Sequence, residues 1–331
     1  MYLSCKMKKT YLIIGFVLLF VLFTGCFNTK NMWNRYENNL NYPRVSENDF
    51  DVSAYQPFMQ NNKVAKLDTV SILKLKNNLP VLEGATALYP LYSAFAETVY
   101  PETGKNNVKY SNTMNAYKAL VKRKVDIIFV ASPSTEQLKM AEKAGVELKL
   151  TPIAKEAFVF FTNENNPVNN LSTKQLQDIY SGKIKNWNEV GGQNDTIIPF
   201  QRNVGSGSQT AFIDFMQGNE IVTPHNDELI FGMGMMISRV ADYINYPNSI
   251  GFSFRYFTNE MVGNKHIKLL QIDGFLPDIA SIKNETYPLV YDFYAITLSD
   301  NKNPNIEKLL EWILLEQGRM LIEKTGYCPL K

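Results

Sequence analysis

Hydrophobic and polar positions divide the chain into three textures. Residues 11–23 form an apolar run from Tyr11 to Phe23, broken only by Gly15. Residues 27–77 are rich in Asn, Tyr, Pro and charge, and read as a tether and an irregular lead-in. From residue 78 onward, short apolar runs of strand length alternate with stretches of helical period, the pattern of an α/β domain. Three strand-to-helix joints stand out. PVLEG (80–84) leads into Ala85, Thr86 and Ala87, after which Leu88, Leu91, Tyr92, Phe95 and Val99 recur at helical spacing. Pro90 falls in the first turn, where a missing N–H costs nothing, so Thr86 lies close to a helix N-cap. VKY (108–110) gives way to Ser111, Asn112 and Thr113, then to a helix marked by Ala116, Tyr117 and Leu120 and a strand VDIIFVAS (125–132). TIIPF (196–200) precedes QRNVGSGSQTAF (201–212), and Ala211, Phe212, Phe215 and Met216 make one helical face. Near the C-terminus the spacing predicts a single helix from Ile306 to Lys324, closed by Gly326, with Leu309, Leu310, Ile313, Leu314 and Leu321 on its core face.

Each joint has the same chemistry. A helix N-terminus carries unpaired N–H groups and partial positive charge. Glycine lets backbone approach a ligand, and Ser or Thr adds a hydroxyl. Together they form an anion site that needs no metal. Arg202 adds a planar fork suited to phosphate or carboxylate. Ser or Thr at one helix start is ordinary capping; three such joints, one with an arginine four residues ahead of its serine, point to a bound anion.

Composition narrows the function. The 331 residues suffice for two domains, and 45% hydrophobic with 20% charged residues is globular. A net charge of +2 offers no basic surface for nucleic acid. Two histidines, His225 and His266, and three cysteines show no metal-ligand spacing and no C-x-x-C, so the sequence calls for no metal and no cofactor. Both histidines stand in polar surroundings and are expected at the surface. The run GMGMMISRV (232–240) reads as a methionine-rich core helix, and Trp187 as packing. A nucleophile reading of Ser206 lacks both a G-x-S-x-G elbow and a nearby histidine.

At the N-terminus, Lys8 and Lys9, the apolar run and Thr24-Gly25-Cys26 describe an export signal; the run is short for a spanning helix, which needs about 20 apolar residues. It resembles a bacterial lipoprotein signal in which Cys26 is acylated, with Phe23 where leucine is usual; an uncleaved anchor helix is the alternative. Translation starts at Met1 or at Met7, whose MKK is the usual opening of such a signal. With Cys26 lipidated, Cys328 has no disulfide partner and is expected to be buried.

EGATALYPLYSAFAE (83–97), the stretch from Pro152 to Gly192, RNVGSGSQTAF (202–212) and EWILLEQGRMLIEKTGYCPL (311–330) together resemble the phosphate-binding proteins of bacterial ABC importers. The resemblance implies a type II periplasmic-binding-protein fold, two α/β lobes joined by two crossover strands with the ligand between them. It divides the chain into a signal (1–26), the lead-in (27–77), a first lobe (78–161 and 288–331) and a second (162–287). EAFVFF (156–161) leaves lobe one, and YPLVYDFYAIT (287–297) returns beside it. Carried over residue by residue, Ala85, Thr86 and Ala87 match the first phosphate loop. Ser111 or Thr113 matches the second, and Arg202 with Ser206, Gly207 and Ser208 the third, Ser208 replacing threonine. Receptors of this family often place an aspartate after the strand matching 125–132, where it accepts the proton of hydrogen phosphate and excludes sulfate. Here Ala131-Ser132-Pro133-Ser134 stands in that place, and Ser132 can donate or accept a hydrogen bond. Phosphate against sulfate thus stays open. Asp126 opens the strand, remote from its far end; Glu83 either leans into the cleft or is a solvated loop carboxylate. The implied protein is a monomeric, non-enzymatic receptor, held on the outer face of the cell membrane through acylated Cys26. It would deliver inorganic phosphate to the permease subunits of an ABC importer. A phosphatase would need a metal cluster or an activated nucleophile. A sensor or adhesin keeping the fold is the other alternative.

Overall fold

The computed structural model describes residues 50–330 except 226, 243 and 245. The export signal, Cys26 and the lead-in as far as residue 49 lie outside the described residues. Among those described, no helix is long and apolar enough to cross a membrane.

The first joint is β1 (Leu82–Gly84), a 3-10 turn at Thr86–Leu88 and helix α1 (Tyr89–Val99). Next come α2 (Thr113–Val121), β2 (Ile127–Ala131), α3 (Thr135–Lys143) and the long strand β3 (Leu148–Asn163). The middle of the chain holds β4 (Asn170–Leu171), α4 (Thr173–Tyr180), β5 (Ile198–Pro199), β6 (Gln201–Arg202), α5 (Gly207–Phe215), β7 (Leu229–Ile230), α6 (Met233–Ala241) and β8 (Ser249–Phe254). A π-helical turn (Phe257–Val262), β9 (Ile267–Leu269), β10 (Gln271–Ile272) and α7 (Ile279–Lys283) lead to β11 (Val290–Leu298), α8 (Ile306–Leu314), α9 (Glu316–Thr325) and β12 (Cys328–Pro329).

β3 organises the molecule. The main sheet runs β1-β2-β11-β3-β8-β5, with β9 and β12 also paired to β3. From Leu148 to Ala157 β3 is antiparallel to β11; from Phe158 to Thr162 it is antiparallel to β8. One 16-residue strand thus belongs to two halves of the fold, β1, β2 and β11 on one side and β8 and β5 on the other. Its burial follows this change: Lys149, Leu150 and Pro152 are exposed, whereas every residue from Glu156 to Asn163 is buried. β2 shows why its sequence is apolar throughout. Ile127, Phe129 and Ala131 face the main core, with Tyr92 of α1 stacked on Phe129 at 5.1 Å; Ile128 and Val130 face a second cluster with Ala116, Tyr117 and Leu120 of α2. A strand covered on both faces needs a continuous apolar run. Trp187 and Cys328 are buried, and His225 and His266 exposed, as the sequence implies.

One feature was left open by the sequence and two differ from its reading. Residues 50–77 are irregular, with one 3-10 turn at Ser53–Tyr55, yet they are packed: Val52, Tyr55, Val64 and Leu75 are buried, and the Leu75 amide donates to Val99 O at 2.9 Å. VKY makes no full strand; Val108 forms an isolated bridge to Leu82. The C-terminal helix is two helices, because Leu315 adopts an extended conformation (φ −81°, ψ 176°) between α8 and α9. Gly318 lies so close to the end of α8 that a Cβ there would stand 2.2 Å from Ile313 O. Gly326 does end α9, in the left-handed region at φ +107°.

Candidate functional site

A small cavity lies where the three joints meet. The cavity measures about 50 Å³, room for roughly three to five waters at about 10–15 Å³ each. That suits an inorganic anion rather than an organic metabolite. Its polar wall comes from Thr86, Ala85 and Ala87 of the first joint, Asn112 and Thr113 of the second, and Arg202, Ser206, Gly207 and Ser208 of the third. The floor is apolar, including Phe231, Met233, Phe254, Phe257 and Phe293.

The third joint supplies the charge. Arg202 ends β6 and is only 6% exposed. Its Nε donates to Ile230 O at 3.1 Å and its Nη2 to Phe231 O at 2.8 Å, while Nη1 donates to Ser208 Oγ at 3.4 Å. Two carbonyls, one at the end of β7 and one just after it, therefore hold the guanidinium plane in place before any ligand arrives. Ser206 caps α5, its Oγ accepting from Gln209 N at 3.2 Å. The Gln209 side chain returns to accept from Arg202 N at 2.8 Å, tying the arginine to the helix it precedes. Gly205 sits at φ +84°, a backbone state that disfavours any side chain.

The second joint resolves an alternative. Asn112 caps α2 by accepting from Asn115 N at 2.8 Å, and Thr113, buried at the first helical position, lines the cavity. Ser111 does not: its hydroxyl donates to the carboxylate of Glu83. Glu83 is thus neither in the cavity wall nor a solvated loop carboxylate; it is a buried strand residue held behind the loop. In the first joint, Ala85 N donates to Phe129 O at 2.9 Å, so its amide belongs to the sheet. The amides of Thr86 and Ala87 lie outside that ladder. Thr86 Oγ1 donates to Ser111 O at 3.2 Å, which joins the first two loops and differs from the capping role expected of it.

Of the sequence-predicted residues, Ala85, Thr86, Ala87, Thr113, Arg202, Ser206, Gly207 and Ser208 are brought together, and Ser111 and Ser132 lie outside the lining. Ser132 is exposed beyond the end of β2, and Ala131 faces the cavity instead. Asp126, at the strand's other end, accepts from Val81 N at 2.8 Å. The α6 stripe is core at Met236, Ile237 and Val240, but Met233 reaches the cavity floor. That floor went unread in the sequence because phenylalanines facing a ligand and phenylalanines facing a core have the same pattern. Among the described residues, none lining the cavity is Asp, Glu, Lys or His, and no group of His, Cys, Asp and Glu could hold a metal ion. A single guanidinium, helix N-termini and hydroxyls over an apolar floor make an electropositive, weakly screened pocket.

Two halves of one sheet whose helix starts face one another across a cavity holding a single buried arginine define a two-lobed α/β protein of the type II periplasmic-binding kind. The chain belongs to the PBP superfamily domain family, whose model matches residues 80–317. Members of that family are solute-binding proteins and not enzymes. Among relatives, the phosphate-binding protein PstS of Borreliella burgdorferi is 23% identical over 188 residues, 55% of this chain and 66% of that protein. Protein SphX of Synechococcus elongatus is 24% identical over 270 residues, 76% of this chain and 77% of that one. The crystal structure of a putative phosphate ABC transporter substrate-binding protein with bound phosphate, from Clostridium perfringens, is 25% identical with a TM-score of 0.61, covering 76% of this chain and 98% of that one.

Proposed function

We propose that this protein is an extracytoplasmic receptor that binds inorganic phosphate in the Arg202 cavity and delivers it to the permease subunits of an ABC importer. The observation that carries the reading is Arg202 itself, buried, held by two backbone carbonyls and facing an anion-sized cavity lined by helix starts. A relative named as a phosphate-binding protein and a similar structure described with bound phosphate support it. The lobe boundaries proposed are 78–161 with 288–331, and 162–287; the partner switch of β3 between Ala157 and Phe158 supports the first crossover. Cys26, after its export-type run, is proposed as the lipid anchor, and the receptor as a monomer. Labelled palmitate should enter the wild-type chain in cells and not Cys26→Ala, with the variant released from membranes; equal labelling of both would refute the anchor.

The binding claim is tested by equilibrium binding of labelled phosphate to protein first stripped of carried-over ligand. Arg202→Ala should lose about 2–5 kcal/mol of binding free energy, a charge-assisted contact in a desolvated site. An unchanged affinity would refute the assignment. One observation favours a second reading, a relaxed oxyanion receptor: no carboxylate lines the cavity among the described residues. Hydrogen phosphate brings an O–H donor that a buried site must pair, at a cost of about 1–3 kcal/mol if it fails. Sulfate brings none. Among the described lining residues that proton can be taken by hydroxyls, backbone carbonyls and the buried side-chain oxygen of Asn203, none of which repels a proton-free sulfate as a carboxylate does, so discrimination against sulfate is expected to be weak.

A further inference from the structure

The loop that carries the anion-binding serines is gripped from the opposite half of the molecule. Gln137, fully buried on α3, donates through Nε2 to Gly205 O at 3.1 Å. α3 follows β2 on the β1-β2-β11 side, whereas Gly205 lies between β6 and α5 on the other. The orientation of the amide is fixed, because Gln137 Oε1 accepts from Ser134 N at 2.8 Å, which leaves the NH₂ end for Gly205. The same loop is packed tightly against α2: a Cβ at Gly207 would stand 3.1 Å from Thr113 Oγ1, and one at Gly205 only 2.3 Å from Met114 Cε. Gln137 is outside the cavity lining and touches no ligand position.

We infer that Gln137 is a cross-cleft positioning residue whose hydrogen bond to Gly205 keeps the Ser206–Ser208 loop in its ligand-holding place and sets how long a captured anion stays bound. The bond spans the two halves and is made whenever they stand together as in this structure, with or without an anion; it favours that closed arrangement over any in which the halves separate. A contact made only after closure slows release and leaves the encounter rate alone. This rests on the anion-receptor reading above.

The test uses the full-length chain and inorganic phosphate in stopped-flow kinetics, with Gln137→Met and Ser134→Ala. Methionine keeps the length and neutrality of the side chain and removes its polar end. Ser134→Ala removes the oxygen that caps α3 through Gln137 N and leaves the bond to Gly205 intact. Q137M should raise the dissociation rate roughly three- to tenfold, the worth of one buried hydrogen bond, with the association rate unchanged. S134A should lower the melting temperature and leave both rates alone. Hydrogen exchange provides a ligand-independent readout: in the anion-free protein, amides of 205–208 should lose protection in Q137M and not in S134A. A dissociation rate within twofold of wild type, or equal loss of loop protection in both variants, would overturn the inference. If the wild type binds no phosphate the receptor reading fails by itself, and the exchange comparison still decides on the latch.

Discussion

At the scale of single residues, the site depends on one full charge and on where hydroxyl protons go. Arg202 cannot be replaced by a flexible lysine without losing the planar fork that Ile230 O and Phe231 O hold in place. Arg202→Lys should therefore weaken phosphate binding nearly as much as Arg202→Ala; calorimetry of the two variants beside wild type checks this. The serines and threonines divide into those that face the cavity and those already engaged. Thr113→Ala should cost about 1 kcal/mol of binding, one hydrogen bond. Ser132→Ala, at an exposed position outside the lining, should cost nothing. Equal losses in the two variants would mean that the second joint and the end of β2 do not have this arrangement. Arg202, Thr113 and Ser206–Ser208 were legible in the sequence because three such strand-to-helix joins in one chain, one with an arginine ahead of its serine, exceed what ordinary capping requires. Ser111 was not separable from Thr113, since only the fold reveals that Glu83 lies behind it to take its proton.

At the scale of elements, the point where β3 changes partners holds a buried ion pair. Glu156, wholly buried, accepts from Arg255 Nε at 3.2 Å, Ala157 N at 2.8 Å and Tyr256 N at 3.0 Å, and Arg255 continues to the Gly326 carbonyl. Glu260 stands 3.6 Å from Arg255 on its outer side. Burial pushes the Glu156 carboxyl up from its ordinary 4.5 to about 7, against the opposing pull of Arg255 and the two amides. A carboxyl whose folded pKa lies above its unfolded one binds protons more readily in the folded state. Its stabilising contribution is complete below about pH 4.5 and is lost as pH rises to about 7. Glu156→Gln should flatten the fall in stability across that window, which urea melts of both proteins at pH 5 and pH 7.5 would measure; parallel curves would show that Glu156 does not titrate there. Neither residue was conspicuous in sequence, because Glu156 and Arg255 are 99 positions apart, the first opening one ordinary apolar stretch and the second following another. The break at Leu315 was hidden for a related reason: the helical period continues across it, and only the tight fit of Gly318 against Ile313 marks the turn.

At the scale of the whole molecule, one long strand, β3, spans both halves, and the cavity forms where the loops at the β2 end of one meet the loop after β6 of the other. The alternation of strands and helices made an α/β domain readable from residue 78 onward, and the two-lobed arrangement came from the family resemblance. The packed lead-in was not readable, because Val52, Tyr55, Val64 and Leu75 are buried one at a time, without a period, along α1 and the C-terminal helices. The strap is tied by Phe58 N to Glu97 Oε2 at 2.8 Å and by Lys324 Nζ to Asp68 at 2.6 Å. Shortening the chain to residue 78 would remove these contacts and the buried Val52, Tyr55, Pro57, Val64, Ser71 and Leu75, and should lower stability rather than merely shorten a tether. The most direct test of the central claim is calorimetric titration of the stripped protein with phosphate and then with sulfate at pH 8. Saturable phosphate heat at one site per chain, lost in Arg202→Ala, is the expected result, with sulfate competing for the same site. No heat from phosphate in a folded, stripped protein would contradict the account and leave the three helix starts as ordinary caps.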